Sequence, residues 1–350
     1  MEGDGIGREV IPAATECIDH ITGGSIEYVK YGASSERYIR ESTLITENEM
    51  EELRKMDAIL FGAIGDPRVK PGIMERGVIL RLRRELGLFL NLRPARSLPF
   101  SKFDMNIAIA RENTEEFYMG FGGKIDEGGS KFLHRSNAWS GELEVSGSSD
   151  DDLYFNLGVM SRKNLERFFR KALSFKQANE GKGVTVVDKA NAVTGLYEIW
   201  REVAGEELAK AGIKPHFMYG DAVAYDLVMD PSKFGLIMAS NLYGDILSDL
   251  CAGMIGGLGF APSGSYGLGK VALFEPVHGS APDIAGRGIA NPIGAILSGA
   301  MMLDHLGMKE KGQALEEAVG LAVQDGVMTH DIGGSDGTKR VVASVVKHLP

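Results

Sequence analysis

The sequence predicts an α/β protein. Two observations carry that expectation. Apolar runs of strand length recur at Ala58–Ile64, Met105–Ala110, Val184–Val187, Phe234–Ala239 and Val271–Phe274. Between them lie segments whose apolar residues follow the i, i+3, i+4, i+7 rule of an amphipathic helix. Such alternation of strands and helices defines α/β architecture. The length of 350 residues, at about 150 per domain, suits two domains.

The elements follow in order. Gly3-Asp4-Gly5-Ile6-Gly7 opens a helical pattern at Val10, Ala14, Cys17, Ile18 and Ile21. It fails as a dinucleotide fingerprint, because it reads G-x-G-x-G and only Met1 and Glu2 precede it. A structural turn is the expected role. Thr46 with Glu49 forms a capping box that opens a helix just before the Ala58 strand. Residues 120–156 are polar and glycine-rich, with an acidic run at Ser148–Asp152. Their alternation at Glu142, Leu143, Glu144 and Val145 allows an exposed hairpin or arm. Helical period returns at Leu165, Phe168, Phe169, Ala172 and Leu173, then at Leu196, Ile199, Trp200 and Val203. It recurs at Leu315, Ala318, Val319, Ala322 and Val323.

Composition narrows the function. Glycine is in excess, at 46 of 350 against a usual ~7%, so turns or close backbone approaches must be many. A net charge of −10 leaves no basic footprint for nucleic acid. Two cysteines, Cys17 and Cys251, fit a reducing cytoplasm better than a disulfide scaffold. No secretory leader is visible. Leu250–Gly269 is uncharged but broken by seven glycines and a proline, and Gly288–Leu303 spans only 16 residues. Neither matches the ~20 apolar residues of a membrane-spanning helix.

Several residues suit chemistry. Arg83 and Arg93 flank an apolar run, and Arg111 follows the Met105 strand. Their planar forks grip carboxylates, so together they could clamp a dicarboxylate. Asp245 and Asp249 are spaced i, i+4 and share a face if helical, where like charges repel unless a cation lies between them. A hard divalent metal fits that need, with Asp221 as a further candidate ligand. A solvated acidic face is the plain alternative. Asn241 and Gly244 suit a strand-to-helix turn at the carboxyl end of a sheet, where ligands bind in open α/β folds. Lys189, near a metal and other cations, could have its pKa lowered and act as a base; Tyr118 could donate a proton. His278-Gly279-Ser280-Ala281-Pro282-Asp283 offers small residues for a flat ligand and an aspartate for a ribose diol, or simply a tight loop with a capping Asp.

These pieces, in this order, resemble the β-decarboxylating dehydrogenases, which include isopropylmalate, isocitrate, homoisocitrate and tartrate/D-malate dehydrogenases. The matching stretches are GDGIGREV (3–10), LRRELGLFLNLRPAR (82–96), RENTEEFY (111–118), VVDKANAV (186–193), NLYGDILSDL (241–250) and FEPVHGSAPDIAGRGIANP (274–292). The resemblance implies a large mixed sheet flanked by helices. One cofactor-binding domain would join residues 1–91 with 257–350. Residues 92–256 would form the dimerisation and metal/substrate domain, with a clasping arm within 120–156. It implies a homodimer, or a tetramer built from it, with Lys189 and Asp221 of one chain facing Asp245 and Asp249 of the other.

The implied reaction is oxidation of a malate, then loss of CO₂. Arg83, Arg93 and Arg111 would hold the carboxylates, and Asp221, Asp245 and Asp249 would hold Mg²⁺ or Mn²⁺. Lys189 would be the base and Tyr118 the acid. His278, Gly279, Ser280, Ala281, Asp283, Ile284 and Asn291 would meet NAD, with Asp283 and Ile284 matching the NAD form of that loop. The third substituent of the malate is read before Arg83, where Ile79 and Leu80 favour an apolar group. That favours 3-isopropylmalate, as in leucine biosynthesis. Arg76 could instead greet a third carboxylate, and D-malate or tartrate would need no third contact. A non-catalytic regulatory subunit is the competing class, but such chains usually lose a metal aspartate, the lysine or the tyrosine, and all are present.

Overall fold

The computed structural model describes residues 1–126, 128–135, 140–146, 152–175 and 182–350. Eight strands build one mixed sheet: β1 (Ala58–Leu60), β2 (Leu90–Arg96), β3 (Asn106–Glu112), β8 (Val184–Asp188), β9 (His216–Tyr219), β10 (Leu236–Ala239), β11 (Pro262–Tyr266) and β12 (Ala272–Pro276). Their spatial order is β1-β12-β11-β2-β3-β10-β8-β9. The contacts β12–β11, β11–β2 and β2–β3 are antiparallel; the others are parallel. Strands from both ends of the chain therefore join strands from its middle at the β11–β2 ladder.

Helices α5 (Arg162–Leu173), α6 (Thr194–Lys210) and α9 (Ile293–His305) pack against this sheet, and α1 (Gly7–Thr22) and α10 (Lys309–Gln324) pack on α9; the periodicity foretold the buried faces of all but α9. Trp200 is fully buried between Phe168 and Phe169. The capping box at Thr46 opens α3 (Glu47–Leu53), with both reciprocal bonds made.

Some strands were not legible. β2 carries two arginines and a proline, and β11 reads Pro-Ser-Gly-Ser-Tyr. β11 pairs only with Leu90, Asn91 and Leu92, so β2 is an edge by Pro94, where a missing N–H is tolerated. The strand expected over Ala58–Ile64 is shorter as a ladder. Beyond Leu60 its backbone turns to other partners: Phe61 N–H donates to Phe274, Gly62 N–H to Met1, and Ala63 forms a parallel bridge with Gly3.

The glycine-rich turn is structural, as expected. The N–H groups of Asp4, Ile6 and Gly7 donate to carbonyls of Ala63, Ser280 and Asp4. The buried Asp4 carboxylate accepts from Ser35 and Gly65. Gly5 has φ +52°, and a Cβ there would stand 1.9 Å from the Ser280 carbonyl oxygen. The turn thus seats the 278–284 loop and keeps few donors for a phosphate.

Two small ribbons project from the middle of the chain. β4 (Gly122–Ile125) pairs with β7 (Leu153–Asn156), and β5 (Ser130–Arg135) pairs with β6 (Ser140–Val145), all antiparallel. Phe132 and Phe155 meet edge-on with centroids 4.4 Å apart. The expected hairpin is present; of the acidic run Ser148–Asp152, residues 148–151 lie outside the described residues.

Candidate active site

The site forms where β3 and β10 end and β2, antiparallel to β3, begins. Helix α8 (Asn241–Ile255) starts immediately after β10 and carries Asp245 and Asp249 one turn apart. Arg111 leaves β3 and Arg93 leaves β2, while Arg83 comes from α4 (Leu80–Glu85). All three arginines are buried. Gly244 makes the approach possible, because a Cβ there would lie 2.5 Å from Arg111 Cγ. The helical spacing expected for the two aspartates is real, and both carboxylates meet buried arginine, with Asp249 also half open to solvent.

Arg93 donates through Nη1 to Ser248 Oγ (2.8 Å) and Asp249 Oδ1 (3.1 Å), with Asp245 Oδ1 at 3.3 Å. Its Nε donates to Asn91. Arg111 donates twice to Asn241 Oδ1 and once to Asp245 Oδ1. Arg83 Nη2 donates to buried Glu275 at 3.0 Å, but its buried Nε has no partner among the described residues. Tyr118 completes the cluster by donating to Asp245 Oδ2 at 2.7 Å, with its ring beside the Arg111 guanidinium.

Burial shapes the charges. It disfavours the charge on Arg93 and Arg111, and neighbouring arginines add to that. Burial also pushes Asp245 up, but Arg111 and Arg93 outweigh it and hold the carboxyl below its ordinary value. Asp249 stands above its ordinary value because burial prevails there. The Tyr118 hydroxyl is pushed up to about 12 by burial and by its bond to Asp245. The three buried arginines face Glu275, Asp245 and Asp249, and Arg83 Nε keeps a donor in reserve among the described residues.

Lys189 and Asp221 form a second, separate group. Lys189 Nζ donates to Asp221 Oδ1 at 2.5 Å. The lysine was expected to have a lowered pKa. Instead its hydrogen bond to Asp221 raises it, because the neighbour at hand is an anion. Asp221 is correspondingly lowered. Among the described residues of one chain, no three metal-ligating side chains converge. Asp221 opens α7 (Gly220–Met229), whose Tyr225, Val228 and Met229 are exposed, as is Ile246 on α8.

The expected cofactor loop follows β12. His278 Nδ1 donates to the Gly279 carbonyl, leaving buried Nε2 without a partner. Ala281 takes φ +40°, an uncommon conformation for a residue with a side chain. Asp283 is exposed and Ile284 half-buried. Asn291 is occupied at both ends, accepting from Ile293 N–H and donating to Asp331. Before Arg83 the chain forms a π turn over Glu75–Ile79, a form often found at functional sites. Leu80 is half-buried without joining either core cluster, whereas Ile79 leans on the smaller one. Arg76 is exposed and makes no ion pair among the described residues.

Sequence reasoning missed Asn91, Glu116, Ser248 and Glu275, and saw Asn241 only as a turn residue. All four lay inside quoted motifs, but they are polar residues that only the fold brings against arginine or helix ends.

Fold and site together define a β-decarboxylating dehydrogenase. Residues 1–346 match the isocitrate/isopropylmalate dehydrogenase family, and the chain belongs to it. It is 41% identical over 356 aligned positions to an isocitrate/homoisocitrate dehydrogenase of Thermus thermophilus, covering 100% of this chain and 97% of the relative. It is 38% identical to a 3-isopropylmalate dehydrogenase of Archaeoglobus fulgidus, covering 100% and 98%. A crystal structure of isocitrate dehydrogenase from Methylococcus capsulatus superposes with TM-score 0.84 at 32% identity, covering 99% and 97%.

Proposed function

We propose that this protein oxidatively decarboxylates a 3-substituted D-malate with NAD, and that 3-isopropylmalate is the preferred substrate. The carrying observation is the buried cluster of Arg83, Arg93 and Arg111, with an unpartnered Arg83 Nε, set against Tyr118, Asp245 and Asp249. The arginines bind the two malate carboxylates. Hard carboxylate oxygens are the right donors for Mg²⁺ or Mn²⁺. Asp245 and Asp249, with Asp221 from a second copy, would hold that ion, which supplies Lewis-acid polarisation of substrate oxygens.

Lys189 from the second copy takes the 2-hydroxyl proton; NAD, when bound, would supply the hydride acceptor for C2. The C3 carboxylate then departs as CO₂, and Tyr118 returns a proton to C3. The raised pKa of Tyr118 keeps that proton available. For Lys189 to act as a base, the anion beside it must be engaged elsewhere, and Asp221 holding a cation would do that. The exposed apolar residues of α7 and α8 and the projecting ribbons support a homodimer that brings the two groups together. Domains bounded near residues 91 and 256 would close over the substrate.

The loop with His278, Gly279, Ser280, Ala281, Asp283, Ile284 and Asn291 would take NAD, with unpartnered His278 Nε2 free to meet the adenosine. Leu80, with Ile79 beside it, supports an apolar substituent. One observation favours a second reading: Arg76, unpaired on the same turn, suits the third carboxylate of isocitrate or homoisocitrate, and the 41%-identical relative carries that name. D-malate and tartrate are the smaller candidates. Two free buried cysteines accord with a reducing cytoplasm. Among the described residues no helix is long and apolar enough to cross a membrane.

A panel of 3-isopropylmalate, isocitrate, homoisocitrate, D-malate and tartrate, each with Mn²⁺ and with NAD or NADP, tests the reading. The expected outcome is the highest kcat/KM with 3-isopropylmalate and NAD. Fast isocitrate turnover beside none of 3-isopropylmalate would overturn the substrate choice.

A further inference from the structure

Glu116 is fully buried, carries a side chain that the proposed chemistry does not use, and sits in a backbone conformation that residues with a Cβ avoid. Its φ is +64° and ψ −138°. Such a conformation is strained and persists only where the surroundings enforce it. The enforcement is visible. Glu116 Oε2 accepts from Leu242 N–H at 2.7 Å, in the first turn of α8. Oε1 accepts from the Tyr197 hydroxyl (2.6 Å) and from Ser240 Oγ (3.0 Å), and Ser240 is the residue at which α8 begins. The Glu116 N–H donates to Val159. Next to it, the Glu115 carbonyl accepts from Asn241 Nδ2, the residue that also holds Arg111.

This places an anion on the positive end of the helix that carries Asp245 and Asp249, using N–H groups the helix cannot satisfy itself. No side chain of α8 caps that end. Two residues further along the same strained segment is Tyr118, whose hydroxyl reaches Asp245. The loop and the helix are therefore pinned together at one point, and the proton donor meets the aspartate one turn away.

We propose that Glu116 is a positioning residue that fixes the Tyr118 hydroxyl against Asp245 by clamping its loop to the start of α8. This rests on the reading of Tyr118 as the acid. Glu116 touches neither substrate nor cofactor; it acts through Tyr118. Backbone strain is retained because a glycine, which relieves it, removes the clamp.

The test is a double-mutant cycle in the intact enzyme with its substrate, NAD and Mn²⁺. Glu116→Gly is expected to lower kcat at least tenfold, because misplacement of about 1 Å at a reacting group costs up to ~10²-fold. KM for NAD should stay unchanged. Glu116→Gln, whose amide oxygen can still accept from Leu242, is expected to recover most of kcat. In a Tyr118→Phe background, Glu116→Gly should add little, since the group it positions is gone. Two results overturn the proposal: kcat losses that multiply in the double variant, or full turnover by Glu116→Gly. If Glu116→Gly does not fold, Tyr197→Phe, which removes a bond to Glu116 Oε1, takes its place in the cycle with Tyr118→Phe, and full turnover or multiplying losses refute the proposal. Full turnover by Tyr118→Phe alone would remove both this proposal and the reading of Tyr118, whereas a defective Tyr118→Phe with multiplying losses removes this proposal only.

Discussion

The two charged groups of this chain are built on opposite principles. Around Arg83, Arg93 and Arg111 the side chains are buried, each fork is held by amides, hydroxyls or carboxylates, and the helix start is clamped by Glu116. Around Lys189 there is one exposed ion pair with Asp221 at the edge of an apolar helix face. The first group is held in place by the fold, and in the proposed function it receives a dianion. The second is open to solvent, and in the proposed function a second copy covers it. Burial fixes geometry, and a lysine whose neighbour is an anion is held protonated. The difference teaches that one group is organised by its own chain and the other is not.

The largest expected effect breaks the exposed group. Lys189→Met should lower kcat by about 10³-fold, in the range for loss of a general base. It should leave Tm essentially unchanged, because an exposed pair contributes little to folding. A large fall in Tm would show that Lys189 is structural instead. Next comes Tyr118→Phe, with a fall in kcat of about 10²-fold. Because its hydroxyl is pushed up to about 12, Tyr118 stays protonated throughout the working range. An alkaline limb of kcat below pH ~10 therefore does not belong to it, and a pH profile of Tyr118→Phe should keep the limb of the parent enzyme. A limb that moves or vanishes contradicts that assignment. The smallest effect sharpens the buried side. Arg111→Lys keeps the charge but cannot bridge Asn241 and Asp245 with one fork. Loss of one charge-assisted bond, about 1.5 kcal/mol, predicts a KM for the dicarboxylate raised roughly tenfold. Unlike Lys189→Met, it should also lower Tm, read by calorimetry.

Legibility in the sequence followed the same division. Parallel strands such as β8 and β10 are continuous apolar runs and were plain. β2 and β11 were hidden because arginine, proline, serine and glycine fill them, and those residues are there to serve the site and the tight β11–β12 contact. Asp245, Asp249 and the three arginines were legible from spacing and residue type. What they hold was not. Glu275 under Arg83, Asn91 under Arg93 and Glu116 at the start of α8 lie at sequence separations of 192, 2 and 126 from the groups they fix. Asn91 and Arg93 share a face of β2 at the strand period of two, but that strand was hidden; no periodicity links the two distant pairs. The strain at Glu116 has no sequence signal, because a glutamate gives no hint of a positive φ. The glycine surplus resolved in part into close approaches, at Gly5 against Ser280 and Gly244 against Arg111.

The central claim is that each site is completed by a second copy. Subunit complementation tests it most directly. Lys189→Met and Asp245→Asn, each inactive as a homodimer, are co-expressed, the mixed dimers are purified through two different tags, and NAD reduction is measured. If Lys189 of one copy serves Asp245 of the other, each mixed dimer holds one intact site and should recover about half the activity of the parent dimer, as two-fold symmetry requires. Mixed dimers as inactive as both parents would place Lys189 and Asp245 in the same chain's site and contradict the account.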